Sequence, residues 1–170
     1  MQEMRSFGQS LRKWIWVAAV VLVPFGTIGT SAEAGELPKT GTYTTNWAFS
    51  GPYMALDLAD GNYTWMSEFT LTVWNEAGEG FFHDMSGHCI GLGVNDTGKG
   101  YCSIVDADGD KIFWAFTDVG GGKGSAVLEG GSGKYAGLQG NEEYTFVYTP
   151  DNPEGAFQGH GTSKGSYTLP

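Results

Sequence analysis

The sequence predicts an all-β fold: an antiparallel, closed barrel of eight strands or slightly more, preceded by an N-terminal signal peptide helix. Three observations carry this. After residue 34 no segment sustains the i, i+3, i+4 apolar spacing of a helix. Aromatic and β-branched runs are separated by glycine-rich punctuation, with 28 glycines in 170 residues, which is how a domain of short strands reads. Finally, Tyr63 to Trp74 alternates strictly. Tyr63, Trp65, Phe69, Leu71 and Val73 share one face, interrupted only by Ser67, and Thr64, Met66, Glu68, Thr70, Thr72 and Trp74 share the other. A strand of that length twists strongly, which suits a barrel, and closure removes exposed edges. Strand spacing alone also permits a sandwich.

Residues 1–34 read as a secretory leader. Arg5, Arg12 and Lys13 precede the apolar run Trp14 to Phe25, and Ala32-Glu33-Ala34 forms a small-x-small site before Gly35. An uncleaved anchor is the alternative, but the run is short for a bilayer span and Pro24 shortens any helix in it. The predicted mature part is one barrel domain, residues 35–170, secreted or periplasmic and without stable membrane insertion after cleavage. It holds six lysines, no arginine and seventeen acidic residues, a net charge of −11. That balance supplies no basic stripe for a nucleic acid and repels an anionic membrane surface. Cys89 and Cys102 both lie in the exported part, where a disulfide is the expected state and a catalytic thiol the alternative.

Taken in order, the strands begin with Thr42 to Phe49, ended by Ser50-Gly51-Pro52, and Tyr53 to Leu58, ended by Asp60-Gly61-Asn62. The long strand Tyr63 to Trp74 follows, then a short one at Gly80 to Met85. His88 to Val94 pairs with Gly100 to Val105, which places Cys89 near Cys102. Lys111 to Thr117 aligns Ile112, Trp114 and Phe116; Ser125 to Glu129 comes next; Glu142 to Thr149 aligns Tyr144, Phe146 and Tyr148. Ala156 to His160 and Ser166 to Leu169 close the chain.

Few constellations carry chemistry. Asp106, Asp108 and Asp110 alternate like the opening of a calcium loop, but its sixth and twelfth positions hold Lys111 and Thr117 rather than glycine and glutamate. A hairpin turn rich in Asp and Gly explains the same residues. His83, Asp84 and His88 fall short of the three or four convergent ligands of a zinc site, with His160 remote. Glu68 on the polar face of the long strand, and Asp57, are the candidate acid–base groups if they point into a lumen. A solvated outward Glu68 is the plainer account. No nucleophile elbow or P-loop occurs, and no cofactor is implied.

Gly130 to Gly140, GGSGKYAGLQG, has no helical period and reads as a tight corner between two strands, with Tyr135 tucked against the barrel end. With the strand Glu142 to Thr149 after it, this stretch resembles the G-[ST]-G-[KR]-[FY]-x-G-x-x-G signature of allene oxide cyclase and dirigent-like barrels. GKGYCSIVDADGDKIFWAF is similar to small exported bacterial proteins of unassigned function that share this barrel. The resemblance covers Gly87 to Pro170, about half the chain, and is more specific for fold than for activity. It implies an eight-stranded, calycin-like barrel able to take a small apolar molecule. Dirigent-type pockets carry an arginine beside aspartates; the mature chain has none, and no catalytic residue of either group is matched.

The functional expectation is a non-enzymatic exported barrel that binds a small apolar or aromatic ligand, with Trp47, Trp65, Phe69, Trp114 and Phe116 as wall residues. A solidly filled core accounts for the same five side chains. The alternatives are a cyclase- or isomerase-like enzyme using Glu68 or Asp57 on a small hydrophobic substrate, and a structural or interaction module with a filled barrel. Homo-oligomers are compatible with all three.

Overall fold

The structure, a computed structural model, describes residues 37–170. The predicted leader and its cleavage site lie outside the described residues. Eight strands follow one another: β1 (Thr40–Asp57), β2 (Tyr63–Asn75), β3 (Met85–Val94), β4 (Thr97–Val105), β5 (Lys111–Gly120), β6 (Lys123–Gly131), β7 (Gln139–Tyr148) and β8 (Ala156–Thr168). Each pairs antiparallel with the next, and β1 also pairs with β8, so the sheet closes on itself. The expected all-β closed barrel is what forms.

Alternation assigns the two faces. β3 is the clearest case, its residues alternating buried and exposed along the whole strand. Met85, Gly87, Cys89, Gly91 and Gly93 face inward, while His88, Ile90, Leu92 and Val94 face outward. Cys89 and Cys102 stand directly opposite across β3 and β4 and are joined by a disulfide inside the barrel.

Three sequence boundaries are corrected. The expected strands Thr42 to Phe49 and Tyr53 to Leu58 merge into the single strand β1, which ends at Asp57, and its pairing with β8 continues through Gly51 and Pro52. Gly51 is there because β2 crosses close beneath it: an added Cβ would stand 2.7 Å from the Cα of Phe69. The expected short strand at Gly80 to Met85 is instead a looped segment over residues 76–84, and only Met85 joins β3. Likewise Ala156 to His160 and Ser166 to Leu169 belong to one strand, β8.

The looped segment 76–84 explains how one barrel end is shut. Phe81 and Phe82 are buried there at 4% and 2% exposure. Phe81 stacks on Tyr167 at 4.0 Å between ring centroids and tilts against Tyr43 at 5.1 Å. Below them the glycine-rich corner folds as a short 3-10 turn, Gly133–Tyr135, and Tyr135 is buried with its ring 6.1 Å from Phe81. Leu128, Leu138, Ile112 and Met85 complete the packed end.

Candidate ligand-binding lumen

The other half of the barrel is hollow. A cavity of about 1000 Å³ opens at the end opposite the aromatic plug, among the turns that carry Asn95, Gly121 and Pro153. That volume lies at the upper end of the range for small-molecule sites, roughly 300–1,000 Å³. Trp47, Trp65, Phe69, Trp114 and Phe116, the five residues expected as walls, all line it.

Inward glycines keep this space open. An added Cβ at Gly161 would stand 2.7 Å from Cη2 of Trp47, with another ring atom closer still, and one at Gly100 would stand 2.5 Å from Cζ of Phe116. The rings therefore lie back against bare backbone on the neighbouring strand instead of reaching across the lumen. Once laid flat they touch each other edge to face: Trp47 with Tyr144 at 5.9 Å, and Phe69 with Phe116 at 6.0 Å.

The tryptophan N–H groups are spent on the protein. Trp47 Nε1 donates to Ser163 Oγ (2.9 Å), Trp114 Nε1 to Glu142 Oε1 (3.0 Å) and Trp65 Nε1 to the carbonyl of Asn95 (2.9 Å). What these side chains offer the lumen is aromatic surface.

Two carboxylates that sequence reasoning did not single out matter most. Glu142 on β7 is buried at 5% exposure beneath the lumen floor. It accepts from the hydroxyl of Tyr43 (2.8 Å) as well as from Trp114, and no cation among the described residues pairs with it. Burial pushes its pKa above the ordinary carboxylate range, and hydrogen bonds from Tyr43, Ser163 and Trp114 offset part of that rise. Trp47 and Trp114 line both the lumen and a void of about 20 Å³ beside Glu142, so they form the floor between them. Asp118 on β5 lines the lumen itself and accepts from the Tyr144 hydroxyl at 2.7 Å. Its pKa is also raised, by burial, against the lowering effect of that hydrogen bond. The available signal was parity: Glu142 shares a face with Tyr144, Phe146 and Tyr148, and Asp118 shares one with Trp114 and Phe116.

The earlier acid–base candidates are placed differently from one another. Asp57 lines the mouth of the cavity. Glu68 does not face the lumen, because the apolar face of β2 turns inward; it lies on the outer surface against His88 Nε2 at 2.8 Å. At 66% and 64% side-chain exposure the two form a solvated pair. The Asp106–Asp110 turn is organised around a lysine. Lys134 Nζ, from the glycine-rich corner, lies 2.7 Å from both Asp106 and Asp108, and its backbone N–H donates to Asp110. An ammonium thus bridges Asp106 and Asp108, two of the three aspartates that alternate like the opening of a calcium loop. Among the described residues no three His, Cys, Asp or Glu side chains converge on a metal position.

Two solved dirigent proteins are similar to this chain. The pterocarpan synthase dirigent protein GePTS1 aligns at 10% identity and a TM-score of 0.46, covering 78% of this chain and 87% of its own. The pterocarpan synthase dirigent protein PsPTS1 aligns at 9% identity and 0.43, covering 76% and 97%. The likeness is one of barrel fold. No family model matches the sequence, and no curated protein does.

Proposed function

We propose that the protein is an exported barrel that binds a single small apolar or aromatic molecule in its lumen and does not turn it over. The observation that carries this reading is the cavity of about 1000 Å³ walled by aromatic rings that are held back by glycines. A barrel built only for stability would gain by filling that space, since empty apolar volume forfeits packing contacts. Export is supported by the leader-like residues 1–34 and by the internal disulfide. Native mass spectrometry of protein purified from its own host is expected to show a noncovalent adduct of one small molecule per chain. Repeated absence of any adduct, together with no uptake of added aromatic compounds, would contradict the reading.

The outer surface favours a second, compatible property. Met54, Met66 and Leu92 are neighbours in register across β1, β2 and β3, with Ile90 beside them, and all are at least half exposed. A contiguous apolar patch of this kind supports self-association of the barrel. Light scattering at micromolar concentration is expected to give a mass above that of one chain, and Met66→Lys is expected to return it to the monomer. A monomeric wild type would end the proposal.

A further inference from the structure

The charged groups around the lumen are all of one sign. Asp57, Asp96, Asp118 and Glu154 line it, whereas no lysine, arginine or histidine among the described residues does. The lysines lie elsewhere: Lys134 is engaged at the closed end, Lys39 donates to the carbonyl of Pro170, and Lys99, Lys111, Lys123 and Lys164 are exposed on the barrel exterior or its turns. Most of the N–H donors are already committed, and the donors left over are the neutral hydroxyls of Ser67, Tyr53, Tyr63 and Tyr148. The three tryptophan N–H groups and the Tyr144 hydroxyl are committed to protein acceptors. The amides of Asn95 and Asn152 are donated to Asn62 and Thr149. A carboxylate or phosphate entering this space would meet four acids and, among the described residues, no cation, with only neutral hydroxyls to receive it.

A cation meets the opposite. Ring faces carry negative charge density and attract an ammonium placed within about 6 Å, more strongly where water is excluded. Asp118 stands beside such rings: Tyr144 donates to it, and Trp114 lies 5.8 Å from Tyr144 between centroids. A cleft lined by acids of one sign between apolar walls also concentrates the field along its axis and draws cations inward.

We propose that the lumen selects organic cations, molecules with an apolar or aromatic body and a protonated amine or quaternary ammonium head, with Asp118 and the rings around it receiving the charge. This rests on the ligand-binding reading of the lumen and narrows it to one chemical class. The body lies against Trp47, Phe69 and Phe116, and the head is held nearer the rim, where Asp118 and Tyr144 meet.

The test is a calorimetric titration at neutral pH and low salt with three probes sharing one body: 4-phenylbutylamine, 4-phenylbutan-1-ol and 4-phenylbutanoate. The amine is expected to bind at least about tenfold more tightly than the alcohol, and the carboxylate more weakly than either, as one favourable or unfavourable charge in a half-desolvated site dictates. Asp118→Asn keeps an acceptor for Tyr144 and is expected to bring the amine-to-alcohol affinity ratio down toward one. Equal binding of amine and alcohol by the wild type overturns the cation proposal and leaves the lumen as a ligand site. Preference for the carboxylate overturns it outright. Binding of none of the three removes both readings together. An unchanged amine preference in Asp118→Asn would show that Asp118 does not receive the charge, and so would overturn its assignment.

Discussion

Phe81→Ala is expected to lower the folding free energy by about 3–5 kcal/mol, the range for truncating a buried phenylalanine whose surroundings cannot collapse. Phe81 has no strand to return to. It lies in the looped segment 76–84 and is held by a parallel stack on Tyr167 and by contacts with Tyr43, Phe82 and Tyr135. Removing the ring leaves four aromatic partners, Tyr167, Tyr43, Phe82 and Tyr135, without a centre. The same truncation at the open end is expected to cost much less, because Tyr148, also inward on its strand, is already 59% exposed. Urea unfolding of Phe81→Ala and Tyr148→Ala measures the contrast. A loss below about 1 kcal/mol for Phe81→Ala would mean that the closed end is not the stabilising half of the barrel.

Glu142→Gln is expected to be more stable than the wild type at neutral pH, by a margin that shrinks on acidification. The sign follows from linkage. The folded-state pKa of Glu142 lies above its ordinary value of 4.5 because burial disfavours the anion. Below that ordinary value both folded and unfolded chains hold the proton and the group contributes no pH dependence. As the pH rises, the unfolded chain releases the proton first, so stability falls until the folded-state pKa is passed. Each unit of separation between the two values corresponds to about 1.4 kcal/mol. Glutamine has no proton to lose, and the rotatable hydroxyls of Tyr43 and Ser163 can reorient toward its amide. Urea midpoints for both proteins at pH 5 and pH 7.5 isolate this contribution, because the other carboxylates cancel in the difference. A difference that does not change with pH would contradict the assignment.

Much of the fold was legible because β-structure writes itself with period two. The strict alternation from Tyr63 to Trp74 names β2 and its inward face correctly, and the aromatic face of β7 was visible in the same way. What misled was the assumption that glycine and proline punctuate. Ser50-Gly51-Pro52 reads as a strand end on local grounds, yet Gly51 answers to the backbone of β2, which is eighteen residues away in sequence at Phe69. No local rule registers that constraint. The hollow lumen was open for the same reason. Whether Trp47 or Phe116 crosses the barrel depends on what faces it from the next strand, and Gly161 and Gly100 are far from their rings in sequence. The Phe81-Phe82 plug has no periodicity to betray it. Glu68 drew attention as a carboxylate on a long strand, but the two faces were there to choose between, and the apolar one is the lumen. Glu142 and Asp118 share their faces with aromatic residues, and an acid in that position was the clue that mattered.

The claim on which the functional account rests is that the lumen is an accessible site for one apolar molecule. Trp47, Trp65 and Trp114 line it while Trp74 faces outward on β2, so a fluorescence titration reads the site directly, provided Trp14 and Trp16 are absent. Titrating the domain comprising residues 35–170 with neutral 4-phenylbutan-1-ol is expected to give a saturable emission change with one probe per chain, unaltered by Trp74→Phe. An emission that stays flat, or a change that disappears with Trp74→Phe, would contradict the account.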